Sequence, residues 1–339
     1  MKAVRFFGNS ICDVGEVQAP IRKNGEVFVK VMSSALCGSE NVAYLAPGET
    51  DDSTDGYRLV GHEMSGVVAD PGESNVLTKD DKVVMQAING CGQCYYCKRG
   101  TYQFCVAPDH KGGTHAQYIS LPEKCVIKAP DDIDYDTLVL LGGDTVGVAF
   151  RATRQLELQK GQTIFVSGAG PIGLGVVALL KHLGCRVIVS EPSAYRREYV
   201  KRRCNADIVL NPTVETFKEE LLALADGVGP ETTIECSGNP KAQLEALEMT
   251  RCQGTVMFCG ENYNPFEFVI SDHIIHKELT VKGAFYYTVN DFVEIIDLYR
   301  QGLDVSQLIS HVVPLDKAPE VIAEFVSGNT GKVIIHPQD

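Results

Sequence analysis

The sequence predicts an α/β protein in two parts, an irregular β-rich domain and a doubly wound parallel sheet. Three observations carry that prediction. Residues 1–150 hold short β-type runs broken by Gly, Pro and Asp, among them "EVFVKVMSSALC", "KVVMQAI" and "AQYISLP". Residues 161–285 alternate apolar strands with helical segments, from "QTIFVSG" and "GLGVVALLKHLG" to "GTVMFCG" and "ELTVKGAF". Such alternation implies a parallel sheet with helices on both faces. The third observation is a glycine pattern, "GAGPIG" at 168–173, set between a buried-type strand and a helix.

Composition agrees with that class. A chain of 339 residues has room for two domains, and 44% hydrophobic with 22% charged residues is globular usage. A net charge of −13 argues against a general affinity for nucleic acid or an anionic membrane. The first residues, "MKAVRFFGNSICDVGE", lack the apolar core of a signal peptide, and no run approaches the ~18 apolar residues of a membrane span. These features place the protein in the cytosol, where thiols stay reduced. Its 12 cysteines then suit metal ligation where they cluster and packing where they scatter.

The glycine pattern is specific in its context. Gly168, Gly170 and Gly173 form G-x-G-x-x-G, with Pro171 and Ile172 before the last glycine. A strand–turn–helix around them is what the Rossmann dinucleotide fingerprint requires. Gly168 permits the tight turn, Gly170 lets the backbone approach a pyrophosphate, and Gly173 lets helix and strand pack closely. The phosphates would rest on free N–H groups at the helix N-terminus. The next strand, "CRVIVSE", ends in Glu191. A carboxylate there accepts hydrogen bonds from ribose hydroxyls and repels a 2′-phosphate, which favours NAD over NADP. Arg196 and Arg197 pull the other way, since arginine binds that phosphate. The alternative is a doubly wound domain that holds no nucleotide.

Two constellations point to metal. "CGQCYYCKRGTYQFC" spaces Cys91, Cys94, Cys97 and Cys105 as C-x2-C-x2-C-x7-C. Four thiolates make a closed tetrahedral zinc site with no position left for a substrate, so its role is structural. An iron–sulfur cluster of the ferredoxin type would have three residues before the last Cys and a Pro after it. Cys37 in "SALCGSEN", with His62 and Glu63 in "LVGHEMSGVV", forms the second constellation. Cys and His supply two ligands, and an open zinc site needs a third. Taken singly, the Cys reads as a small buried hydrophobe and the His as a satisfied polar residue.

In order along the chain stand "CGSE" at 37–40, "GHEMSG" at 61–66, the cysteine quartet, "GGTHAQYISLPE" at 112–123, "GAGPIG", "ECSG" at 235–238, "VKGAF" at 281–285 and "GKVII" at 331–335. Over its whole length the chain resembles the zinc-dependent medium-chain alcohol dehydrogenases, with a pattern nearest the polyol, sorbitol and threonine dehydrogenase branch. The resemblance implies a GroES-like catalytic domain from residues 1–150 and 287–339, with a Rossmann domain, 151–286, inserted between. It implies that Cys37 and His62 hold a catalytic zinc, and that Glu63 approaches or replaces its water. Glu40 would hold His62, and Ser39 would be the hydroxyl of a proton relay. It further implies cofactor contacts from Ser237, Gly260, Phe285 and Lys332 beside the fingerprint residues, Glu191 and Arg196. Two zinc ions per chain, NAD, a small-molecule alcohol substrate and a homo-oligomer, dimer or tetramer, complete the expectation.

The third zinc ligand departs from the branch. Polyol dehydrogenases carry Glu-Pro there and other branches carry Cys, whereas "LLGGDTVGVAFRA" has neither. By its distance to Phe150 and Arg151, Asp144 matches the Asp of bacterial secondary-alcohol and formaldehyde dehydrogenases. The alternative is that Asp144 caps the following helix. Val42 stands where threonine dehydrogenases have a His, and the usual Pro before "GHE" is missing.

The expected reaction is hydride transfer between NAD and a secondary alcohol, either a polyol, a cyclitol or a sugar alcohol. A zinc ion with an open position lowers the pKa of a hydroxyl, and Ser39 takes the proton. A second reading is a dehydrogenase of simple alcohols, aldehydes or ketones, where Asp144 has its nearest analogues. A third, from another class, is a non-catalytic zinc- and nucleotide-binding redox sensor, against which intact Cys37, His62, Glu63 and Ser39 argue. Glu49, Asp51, Asp52 and Asp55 read either as recognition of a polyhydroxylated or amine-bearing substrate or as a solvated loop.

Overall fold

The computed structural model describes residues 1–48 and 56–339, so the acidic stretch of Glu49, Asp51, Asp52 and Asp55 lies outside the described residues. The chain divides into two compact units. The first comprises Met1–Gly147, Tyr287–Ile296 and Ile309–Asp339, and the second comprises Val148–Tyr286 and Asp297–Leu308. No helix among the described residues is long and apolar enough to cross a membrane.

The first unit is built on a seven-stranded sheet. Its order runs Ile309–Pro314, Lys332–His336, Glu26–Ala35, Met64–Asp70, Lys82–Met85 and Val126–Lys128, with Tyr118–Pro122 also paired to Glu26–Ala35. The long strand Glu26–Ala35 alternates half-buried residues with buried Val27, Val29 and Val31, the period-2 pattern that seats one face on a core. The last strand lies antiparallel beside it, with Ile334 opposite Ala35. Residues near 332 are thereby laid next to residues near 37.

Helix Tyr135–Leu141 begins at Asp134, whose side chain accepts the Thr137 N–H. A two-glycine turn, Gly142–Gly143, leads into helix Asp144–Thr153. Both glycines are required by close approach. A Cβ on Gly142 would come within 2.7 Å of the Val84 side chain, and one on Gly143 within 2.5 Å of Glu63 Oε2 and the Val139 carbonyl. Beneath the turn lies Tyr287, 2% exposed. Its hydroxyl reaches the carbonyls of Met85, at 3.0 Å, and Gly142. The Gln86 side-chain amide donates to the Tyr287 carbonyl at 2.7 Å. This residue ties strand, turn and helix start into one support.

The second unit is a six-stranded, all-parallel sheet ordered Ile208–Leu210, Arg186–Ser190, Thr163–Ser167, Thr232–Glu235, Thr255–Phe258, Thr280–Gly283. Ile164, Val166, Val187, Ile188, Val189 and Ile234 are all fully buried, as expected for strands covered on both faces. Strand order reverses beside Thr163–Ser167, so the switch point lies at the carboxyl ends of Thr163–Ser167 and Thr232–Glu235. Residues 297–308 group with this unit and not, as the sequence reading had it, with the first. Leu303, Val305 and Leu308 are buried, and the Gln307 carbonyl accepts the Tyr199 hydroxyl at 3.0 Å.

The Tyr287 support yields a prediction. Tyr287→Phe removes one hydroxyl that serves two buried carbonyls, and should lower stability by about 1–3 kcal/mol. Urea denaturation of the two proteins checks this, with an unchanged m-value showing that the effect is on the folded state.

Candidate active site and metal centres

Four potential ligands converge in the first unit. One donor atom from each of Cys37, His62, Glu63 and Asp144 lies within 4.8 Å of the others. Cys37 follows strand Glu26–Ala35, His62 and Glu63 precede strand Met64–Asp70, and Asp144 opens its helix. Gly61, at φ +94°, makes the His–Glu turn possible: a Cβ there would be 2.5 Å from Thr114 Oγ1 and 2.8 Å from the His115 ring.

The donors are near enough to share one cation, with the His62–Asp144 pair at hydrogen-bond distance. Asp144 Oδ2 is 2.8 Å from His62 Nε2 and 3.9 Å from Cys37 Sγ. A tetrahedral zinc ion would set such N–O and S–O pairs at about 3.4–3.6 Å. Asp144 is the first residue of its helix, and its carboxylate faces His62 and Cys37, which disfavours the reading as a cap.

The electrostatics agree. Cys37, Glu63, Asp144 and Glu40 are buried together, and Lys332 is the ammonium among them. Burial pushes the Cys37 thiol up. Burial also raises the Glu63 carboxyl to about 7, although the Lys332 ammonium pulls it the other way. A divalent cation between these donors would favour their charged forms.

Lys332 departs from its expected place among the cofactor contacts. Its side chain is fully buried, with Nζ 2.8 Å from both oxygens of Glu63 and 2.7 Å from the Leu36 carbonyl. The Glu63 carboxylate and a backbone carbonyl, both desolvated, hold that charge. Behind His62 lies Glu40, 2% exposed. It accepts the Cys37 N–H at 2.6 Å and stands 3.8 Å from His62 Nδ1. Ser39 precedes the short helix Glu40–Leu45 and is exposed.

The cysteine quartet forms a second centre. Cys91 and Cys97 Sγ are 4.0 Å apart, as are Cys94 and Cys105 Sγ. Zn–S bonds of about 2.3 Å in a tetrahedron give sulfur separations of about 3.8 Å. The backbone N–H groups of Cys91 and Ala107 point at Cys105 Sγ, at 3.2 and 3.4 Å. N–H groups of Cys97 and Val106 hold the Cys94 thiol down at about 6. Burial pushes Cys97 up to about 12, and its three neighbouring sulfurs add to the rise. Such a set, with donors aimed at the sulfurs and one sulfur starved of solvent, fits a thiolate-bound cation.

In the second unit the fingerprint residues sit at the switch point. Gly168 has φ +95°, and a Cβ on it would meet Ser237 at 3.1 Å. Gly170 precedes helix Pro171–His182, which has Pro171 in its first turn and then Ile172 and Gly173. A Cβ on Gly173 would overlap the Gly168 carbonyl, and one on Gly260 would overlap the Gly238 N–H. Glu191, 4% exposed, accepts N–H groups from Ala169 and Ser193, each at 2.8 Å. Arg196 lies over Gly170, while Arg197 donates to the Glu191 and Pro192 carbonyls. Phe285 lies just beyond the edge strand, its ring edge-on to Tyr286.

A parallel sheet with a dinucleotide fingerprint in one unit, and open and closed sets of zinc-type donors in the other, define the class of zinc-binding dehydrogenases. Comparison with known families agrees. A zinc-binding dehydrogenase family matches residues 171–301, and an alcohol dehydrogenase GroES-like domain matches residues 23–131. The chain is 31% identical to L-threonine 3-dehydrogenase of Pyrococcus abyssi, over 94% of this chain and 93% of that protein. It is 29% identical to L-galactonate-5-dehydrogenase of Escherichia coli K12, over 92% and 91%. A structure described as a short chain alcohol dehydrogenase from E. coli CFT073, complexed with NADH, shares 26% identity and superposes with a TM-score of 0.85 over 99% of each chain. This chain belongs to the zinc-dependent medium-chain alcohol dehydrogenase family.

Two predictions separate the centres. Cys97→Ser should lower the melting temperature and release the zinc of the quartet, because binding energy there is folding energy. Zinc analysis and calorimetry check it. Asp144→Asn keeps the shape of the side chain and loses its charge. Zinc at Cys37 and His62 should then be lost on dialysis while the quartet keeps its own, and turnover should fall by at least about 10-fold, the lower end of what even an outer partner costs. Because Asn and Asp cap helices about equally well, a role as helix cap would leave turnover unchanged.

Proposed function

We propose that this protein oxidises a secondary alcohol of the polyol, cyclitol or sugar class, using NAD, and reduces the matching ketone in reverse. The observation that carries the reading is the donor set Cys37, His62 and Asp144 in a chain that also has the fingerprint and Glu191. Zinc held there would polarise the substrate hydroxyl, and NAD would take the hydride. The chain's own residues do the rest. Ser39, two residues from Cys37, accepts the hydroxyl proton and passes it to solvent. Lys332 donates to Glu63 at 2.8 Å and balances its charge beside the three ligands. Glu40 orients His62.

Similarity to a threonine and a galactonate dehydrogenase supports a polar, hydroxylated substrate. Val42, 72% exposed where threonine dehydrogenases have His, favours the polyol and sugar side of that branch. Glu191, fixed by two N–H groups at the end of its strand, supports NAD, as does the turning of Arg197 onto backbone carbonyls. Cysteines gathered in metal-type sets support a reducing, cytosolic setting. A homo-oligomer is supported by the open sheet edge Thr280–Gly283 and the exposed Val269, Ile270 and Ile275 in the segment leading to it.

The test is a screen of polyols, sugars, cyclitols and amino alcohols, following reduced-cofactor absorbance with NAD and NADP in parallel. NAD-dependent turnover of a polyol or sugar alcohol is expected. Glu191→Ala should weaken NAD use and narrow the preference over NADP. A wild-type preference for NADP would overturn the cofactor assignment. Two zinc ions per chain without turnover of any alcohol would favour the redox-sensor reading.

A further inference from the structure

We infer that His115 is a positioning residue for the catalytic metal centre and acts on it through Glu40. The inference rests on the reading of Cys37, His62 and Asp144 as that centre. His115 is a lone histidine in "GGTHAQY", 1% exposed. Its Nδ1 is 2.9 Å from Ser34 Oγ. Its Nε2 has no hydrogen-bond partner among the described residues and faces Glu40 Oε1 at 3.8 Å. That same oxygen is 3.8 Å from His62 Nδ1. One carboxylate oxygen is thus equidistant from a metal-ligand imidazole and from a second buried imidazole that ligates nothing.

The donor chemistry fixes the arrangement. A neutral imidazole has one N–H and one lone pair. Facing a carboxylate, Nε2 carries the proton, so Nδ1 accepts from the Ser34 hydroxyl. Glu40 Oε2 is already engaged by the Cys37 N–H at 2.6 Å. Oε1 therefore divides between His62 and His115, and the angle at which it meets His62 is set by both. The backbone is fitted to this ring as well: a Cβ on Gly61, one residue before His62, would lie 2.8 Å from His115 Nε2. Without a donor at Nε2 the carboxylate swings toward His62 alone, the His62 ring turns with it, and the metal is held less well.

The experiment compares the zinc-loaded wild type with His115→Gln and His115→Asn. The amide nitrogen of Gln reaches the place of Nε2 and can still meet Glu40. The shorter Asn amide reaches only the place of Nδ1 and Ser34. Both are polar and close in size to His, so both should fold. Readouts are zinc retained against a chelator, the visible spectrum after cobalt exchange at the catalytic centre, and the melting temperature. Asn should release catalytic zinc about 10-fold more readily and shift the cobalt bands, while the quartet's zinc and the melting temperature hold. Gln should restore wild-type retention. Equal retention in all three proteins, or equal loss in both variants, would overturn the inference. A wild-type chain that holds only the quartet's zinc would overturn the reading of the centre and this inference with it.

Discussion

Buried negative charge is the constraint around which the first unit is arranged. Cys37, Glu40, Glu63 and Asp144 are brought together out of water, where unpaired anions are costly. The three carboxylates are each answered by a specific group. Glu40 takes the Cys37 N–H and faces two imidazoles, Glu63 takes the Lys332 ammonium, and Asp144 faces His62. The sheet exists in the form that makes these answers possible. Pairing of Lys332–His336 with Glu26–Ala35 is what sets an ammonium against Glu63. The two-glycine turn is what lets Glu63 Oε2 lie against the backbone at Gly143. A divalent cation is the remaining piece of charge balance, and the donors left over by these pairings are sulfur, imidazole and carboxylate in the combination zinc accepts.

The cysteine quartet solves a different problem by the same means. Residues 91–105 are turns and two short 3-10 helices, Cys97–Arg99 and Tyr102–Phe104, between the two-residue strands Ile88–Asn89 and Asp109–His110. Tyr95, Tyr96 and Phe104 are exposed, so the lobe has little apolar core of its own. A cation held by four sulfurs would replace the core it lacks. The glycines there serve the sulfurs directly, since a Cβ on Gly90 would come within 2.5 Å of Cys97 Sγ.

Much of this was legible in the sequence, and the limits have physical causes. Parallel strands buried on both faces leave continuous apolar runs, so the α/β class could be read from texture. Four sulfurs in fifteen residues announce themselves because their ligand geometry is local. Asp144 could be singled out because one carboxylate stood in the window between "LLGG" and "FRA". The carboxylate that pairs with Lys332 could not be read from the sequence, because it lies 269 residues away and only sheet pairing reveals it. His115 stood in a stretch that marks the family, "GGTHAQYISLPE", but a single histidine there reads as a satisfied polar residue until its neighbours are known. Residues 297–308 pack with the second unit although the resemblance implied that the whole tail returns to the first, because a family pattern gives the order of domains and not where each turn packs.

The strand that carries Lys332 also orders events in time. A ribosome delivers Cys37, His62 and Asp144 long before residue 332, and domains fold as they emerge. During that interval the acidic donors gather without the ammonium that balances them and without the strand that completes their sheet. The donors of the first unit are thus gathered from both ends of the chain and depend on its closing residues, whereas the sulfur lobe is coded within fifteen residues.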